Sequence, residues 1–293
     1  MIYDEEIPKY NPFDNPKDRK EIIDTDKLFN QCEVSIDEVI KHPPTAIAIG
    51  EYEVKGNMYP IPFGSYGDFS CIVGASKSKK TFLKSALLAG YIGGSAVNYF
   101  NDIRGIDNTD KWVIDIDTEQ SKFHSQRVFR RVQEMTGIKH DKYKAFFLRE
   151  QSVEERLALI ESIFENPLFK NNIGLVAIDG FADLVKDFNS LEESTQLTQK
   201  IMKWSSVNKC HIIGVLHSNF NTKKPTGHLG SSVMKKAETV VILEPGTTEK
   251  SVMVNCSYSR NHPFKDFEFE LNKDYLPFEI NGSFTFDTDK APF

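Results

Sequence analysis

The feature that most restricts this chain is an octapeptide, Gly74-Ala75-Ser76-Lys77-Ser78-Lys79-Lys80-Thr81, set between the short apolar run Phe69–Val73 and the small-residue-rich segment Lys80–Ala96. A glycine-led turn that joins a buried strand to a helix aims successive backbone N–H groups, and the positive end of the helix, at one point. Such a cradle suits phosphate. At this spacing a lysine, Lys80, reaches the β and γ phosphates of a nucleotide and a hydroxyl, Thr81, ligates Mg²⁺. Lys79 departs from the pattern, because glycine normally precedes the lysine. A left-handed backbone there costs a non-glycine residue about 1–2 kcal/mol. Two consequences stay open: the added cation offsets that cost beside a triphosphate, or the loop has lost tight nucleotide binding. The bland alternative is a lysine-rich surface turn.

Downstream residues add weight to the phosphate reading. Asp179 ends the apolar strand LVAID, where a carboxylate holds Mg²⁺ through water. Glu119 follows a second strand in VIDIDTEQS, placed to orient and deprotonate an attacking water. His217 ends a third strand, IIGVLH, where a polar tip can sense the γ-phosphate. Each alone reads as an ordinary strand-end polar group. Together, at the C-terminal ends of parallel strands, they converge on one crevice.

The rest of the chain fits that frame. Continuous β-branched runs alternate with helical segments at Phe123–Met135, Val153–Glu165 and Leu191–Asn208, which predicts an α/β fold with a mostly parallel central sheet covered on both faces. After Ala237 the pattern becomes strands joined by turns, at Thr239–Leu243, Ser251–Ser257 and Asp266–Leu271, an antiparallel extension. Residues 1–44 read as a separate arm and 45–293 as the domain. Ile7–Arg19 carries three prolines and many charges, a flexible composition, and Lys20–Ile40 contains a short helix. The first six residues include three acids, unlike a signal peptide, and no apolar run spans a bilayer, so a cytoplasmic protein without a membrane partner is expected. Cys32, Cys71, Cys210 and Cys256 are too scattered for a zinc site, and Cys71 and Cys210 border apolar runs as small buried hydrophobes.

The order phosphate loop, strand–Glu119, strand–Asp179, strand–His217 resembles the RecA/DnaB group of ATPases over about Gly50 to Ile280. Within that group the whole segment is most similar to the RepA-like AAA-type ATPases of bacterial mobile elements and phages. The loop also looks like that of UvsX-type phage recombinases. The resemblance implies a RecA-like P-loop NTPase core using ATP and Mg²⁺. It implies that Glu119 is the catalytic glutamate and His217 the polar switch. His228–Leu243 looks like the stretch of DnaB-type helicases where a glycine-serine loop leads to a strand. The region Ser218–Glu238 is then a loop gripping single-stranded DNA, through Lys223, Lys224, Lys235 and Lys236, whose charges form a track despite the net charge of −6. Phe181–Ser194, the corresponding first loop, is acidic and a poor DNA surface. Tyr258-Ser259-Arg260 resembles the strand motif that reaches a neighbour's ATP. Arg260 matches its arginine finger, while Tyr258 stands where lysine would be. A helicase-like ATPase of replication follows, assembled as a ring of six or a filament, with a primase among possible partners. The alternatives are a recombinase filament and a nucleotide-gated loader with little hydrolysis.

Overall fold

The computed structural model describes residues 24–218 and 227–280. The chain divides into two units, Met1–His42 and Pro43–Phe293, two residues before the boundary expected from composition. In the first unit the short helix is α1 (Thr25–Cys32), capped by the Asp24 side chain, which accepts from Lys27 N at 3.0 Å. The flexible-arm reading of Ile7–Arg19 lies outside the described residues.

The second unit opens with an antiparallel hairpin, β1 (Thr45–Val54) and β2 (Asn57–Ser65), turned by Lys55 and Gly56 at φ 51° and 80°. There follow β3 (Phe69–Gly74), α2 (Lys80–Ile92), the short β4 (Ile103–Gly105), β5 (Trp112–Asp117) and α3 (Lys122–Thr136). The chain continues through β6 (Tyr143–Phe147), α4 (Val153–Glu165), β7 (Ile173–Asp179), α5 (Leu191–Asn208) and β8 (His211–His217). It ends with α6 (Gly227–Lys236), β9 (Thr239–Pro245), β10 (Val252–Ser259), β11 (Phe267–Leu271) and β12 (Pro277–Ile280).

Among the described residues the main sheet has nine strands in the order β12-β11-β10-β9-β3-β8-β7-β5-β6. The strands from β9 to β6 run parallel; β10, β11 and β12 continue the sheet antiparallel. This is the expected α/β architecture with its antiparallel extension. Side chains of the parallel strands alternate between two cores, as a period of two requires. Ile72, Val113, Leu175 and Ala177 face one core with Leu83 and Leu87 of α2 and Val132 of α3. Cys71, Val73, Val176 and Ile178 face the other, with Ile160 of α4, Leu197 and Ile201 of α5 and Val233 of α6. Burial on both faces explains why these strands read as unbroken apolar runs.

Three expectations need correction. Ser218–Glu238 is not a loop throughout, since residues 227–236 form α6. Leu229 and Val233, four apart, bury one face of this helix, and Ser232 Oγ accepts from Thr198 of α5 at 3.0 Å. Within Phe181–Ser194 most residues are also ordered by local structure. A 3-10 turn spans Phe181–Leu184 with both end residues buried, and α5 begins at Leu191. Finally, α2 stops at Ile92 rather than Ala96, because Gly93 and Gly94 take φ of 95° and 64°. The three-stranded sheet β2-β1-β4 was not anticipated from sequence at all.

Candidate functional site

The phosphate loop leaves β3 at Gly74, where an added Cβ would lie 2.4 Å from Ser78 Oγ; only glycine lets the loop fold back on the strand. Two lysines of the loop are left-handed, Lys77 at φ 63° and Lys79 at φ 64°. Lys79 therefore occupies the conformation for which glycine is the ordinary choice, immediately before α2. Its ammonium donates to the Lys250 carbonyl in the β9–β10 turn, a tether that helps hold the strained residue. Lys79→Gly is expected to stabilise the fold by about 1 kcal/mol, the left-handed penalty less the added chain entropy of glycine. Urea unfolding of the two proteins measures this; a destabilised variant would show that the tether outweighs the strain.

Sheet register then sets four functional groups side by side. Gly74 pairs with His217, Asp117 with Asp179, and Asp179 with Val215, so the tips of β5 and β7, and two residues further on those of β8 and β3, open at the same end of the sheet. Lys80 is buried, and its Nζ donates to the carbonyls of Gly74 at 2.9 Å and Ala75 at 2.7 Å. It also lies 3.2 Å from His217 Nδ1. An ammonium has no lone pair, so Nδ1 is the acceptor and the ring proton sits on Nε2. From there it donates to Glu119 Oε1 at 3.0 Å. The result is a continuous row, Lys80–His217–Glu119. The hydrogen bond from His217, with the charges of Lys80 and Lys84, holds the Glu119 carboxyl below its usual range against burial. Glu119 is thus an ionised acceptor at the mouth of the site.

The backbone behind Glu119 is fixed by Asp117, whose Oδ1 accepts from Glu119 N at 3.0 Å and Gln120 N at 2.9 Å. Thr118 Oγ1 donates to the Asp179 carbonyl and to Asp183 Oδ2, both at 2.8 Å, and so locks the β5 tip to the β7 tip.

Asp179 lies near Thr81, whose side chain favours the ionised Asp179 carboxyl. Burial raises the Asp179 carboxyl, Lys84 lowers it, and Asp117 and Glu119 raise it further. Lys84 was missed in the sequence. It is fully buried one helical turn beyond Lys80, with Nζ 2.8 Å from Asp115 Oδ1 and 3.5 Å from Asp179 Oδ2. Tyr143 Oη donates to the other Asp115 oxygen at 2.8 Å, so that carboxylate is satisfied at both ends. Burial disfavours the Lys84 charge, but Asp115 and Asp179 outweigh it and push the ammonium above its ordinary value.

The donor set fits Mg²⁺. Asp117 Oδ2 and Ser78 Oγ are buried without a hydrogen-bond partner, and Asp179 Oδ2 has only the Lys84 ammonium at 3.5 Å, an arrangement that a further cation or donor would complete. Among the described residues no three or more His, Cys, Asp or Glu side chains are grouped to hold a metal. A divalent ion on Thr81 and Asp179 would share its shell with phosphate oxygens and water, which is how Mg²⁺ is ordinarily held. The loop borders a cavity of about 610 Å³, room for a nucleotide. Its rim carries Ser76, Lys77, Ser78, Lys79, Lys80 and Thr81. Glu119, Asp179 and His217 line it too, and α3 and Tyr275 close its far side.

The remaining candidates lie elsewhere. Ser259, just before Arg260, pairs with Thr239, which pairs with Ser70 at the start of β3. Arg260 is therefore at the opposite sheet edge from the loop, donating to Asp68 Oδ2 at 2.8 Å and to the Lys236 carbonyl. Lys235 and Lys236 are exposed on the last turn of α6, near that same edge. Lys223 and Lys224 fall outside the described residues. No helix among the described residues is long and apolar enough to cross a membrane. No protein-family model matches the chain, and no curated protein matches it in sequence.

Proposed function

We propose that the chain is a Mg²⁺-dependent ATPase of RecA-like kind that works on single-stranded DNA in replication as an oligomer, a ring of six or a filament. The observation that carries the ATPase reading is the hydrogen-bonded row Lys80–His217–Glu119 lying beside Thr81 and Asp179 on one crevice. In this reading Mg²⁺, held by Thr81 and Asp179, supplies charge neutralisation at the phosphates. Lys80 and the loop N–H groups bind the polyphosphate. Glu119 orients a water and takes its proton. His217 bridges Lys80 and Glu119, so a change at the phosphates is felt at the β8 tip and in the segment that follows it. Support for DNA rests on the lysines after His217, of which Lys235 and Lys236 are exposed. Support for assembly rests on Arg260, which lies too far from its own loop to act there.

Steady-state ATP hydrolysis with Mg²⁺, with and without single-stranded DNA, tests the reading. Wild type is expected to turn over ATP faster with DNA. Lys80→Ala is expected to abolish turnover while its melting curve stays that of the parent. Turnover that survives in Lys80→Ala sinks the assignment. Nucleotide bound without turnover under any condition would instead favour a nucleotide-gated loader.

A further inference from the structure

We propose that Arg127 and Arg131 of α3 form a second anion-binding wall beside the phosphate loop, gripping the end of the nucleotide polyphosphate that hydrolysis leaves behind. This rests on the ATPase reading and adds a feature that the loop, Glu119 and Asp179 do not supply.

The two arginines are four residues apart, so they share one face of α3, and both line the cavity. Arg131 is held in place: its guanidinium lies 3.7 Å over the Phe82 ring, and Nη1 donates to Ser85 Oγ at 3.3 Å. Stacking fixes the plane of the fork and leaves further N–H groups to donate. Ion pairs among the described residues involve neither arginine. Burial, with the neighbouring Arg127 charge, lowers the Arg131 guanidinium to about 10. Two cations thus stand side by side without a carboxylate partner. The phosphate loop adds Lys77, Lys79 and Lys80, and among the lining residues only Glu119 and Asp179 oppose them. A cavity so biased is completed by a ligand of several negative charges. A planar guanidinium fork matches phosphate oxygens in pairs.

Position decides which part of the ligand is held. α3 begins at Lys122, three residues after Glu119, and Arg131 lies nine residues further on, about 13 Å along the helix at 1.5 Å per residue. Glu119 belongs with the phosphate that is attacked, because a base must reach the water beside it. Arg131 consequently meets the phosphates nearer the nucleoside, which are common to the triphosphate and the diphosphate.

Titration calorimetry with ATP and with ADP, both with Mg²⁺, tests this on wild type, Arg131→Gln and Arg127→Gln/Arg131→Gln, each checked for an unchanged melting curve. Arg131→Gln is expected to weaken both nucleotides by the same factor, about tenfold, the loss of one charge-assisted contact. The double variant should weaken both further. Unchanged ADP affinity overturns the proposal, whether ATP binding is also unchanged or selectively lost. Should Arg131→Gln fail to fold, Arg131→Lys replaces it, and weakening of both nucleotides is again required. If wild type binds neither nucleotide, the ATPase reading fails, and inorganic tripolyphosphate decides the wall. Binding that the double variant abolishes sustains it, and no binding, or binding the variant keeps, overturns it.

Discussion

Lys84→Met is expected to destabilise the fold by about 3–5 kcal/mol, because it strands buried carboxylates without their cation. Lys84 and Asp115 are both wholly inaccessible to solvent, and Asp179 is nearly so. The net worth of an intact buried ion pair is small, since desolvation cancels most of the attraction; breaking one side is what costs. That asymmetry gives a second, sharper expectation. Lys84→Met/Asp115→Asn should recover most of the loss, falling short only because Asp179 still lacks its neighbour at 3.5 Å. For a unit of this size the single variant corresponds to a melting temperature lower by roughly 10 °C or more. Urea unfolding of the single and double variants measures both effects. A single variant within about 1 kcal/mol of wild type, a surface-like value, would mean that water reaches Lys84 and the burial argument is wrong.

Glu119→Gln is expected to lower ATP turnover by about 10²–10⁴-fold, the usual worth of a positioned general base. Nucleotide affinity should stay within a few-fold of wild type, because in the proposed ATPase the phosphate contacts come from the loop and Lys80. The substitution is conservative in geometry. A glutamine oxygen still accepts from His217 Nε2, and the backbone remains pinned by Asp117. What it removes is the negative charge and the ability to take a proton. Single-turnover kinetics on pre-bound ATP separates this from a binding defect. Turnover equal to wild type would remove Glu119 from the chemistry and leave the Lys80–His217–Glu119 row as a structural brace.

How far the sequence revealed these groups depends on where their partners lie. Gly74, Asp179 and His217 could be found because each ends an apolar run, Glu119 because it follows one, and Lys80 and Thr81 by their spacing from Gly74; strand ends of a parallel sheet open on one side. Lys84 could not be found the same way. A lysine inside a helix normally faces water, and its partner Asp115 is 31 residues away. The available clue was the strand VIDID, in which Asp115 and Asp117 fall on one face of a strand that is otherwise buried; two interior acids on one face call for a cation. The α6 helix was obscured by Gly227 and Gly230, though Leu229, Val233 and Ala237 repeat every four residues. The hairpin β1–β2 was hidden because residues 46–50 are buried without alternation.

The direction of β3 sets a limit on what one copy of this chain can do. From Phe69 to Gly74 the strand advances about 17 Å at some 3.3 Å per residue, with Arg260 held near the beginning and the phosphate loop at the end. No rotamer change can carry a guanidinium tied to Asp68 along the length of that strand. Any reaction that requires both ends must therefore recruit the far edge of another molecule. Catalysis of that kind would rise with the square of concentration in dilute solution, and mixing Arg260→Ala with Lys80→Ala subunits would restore sites that neither variant forms alone.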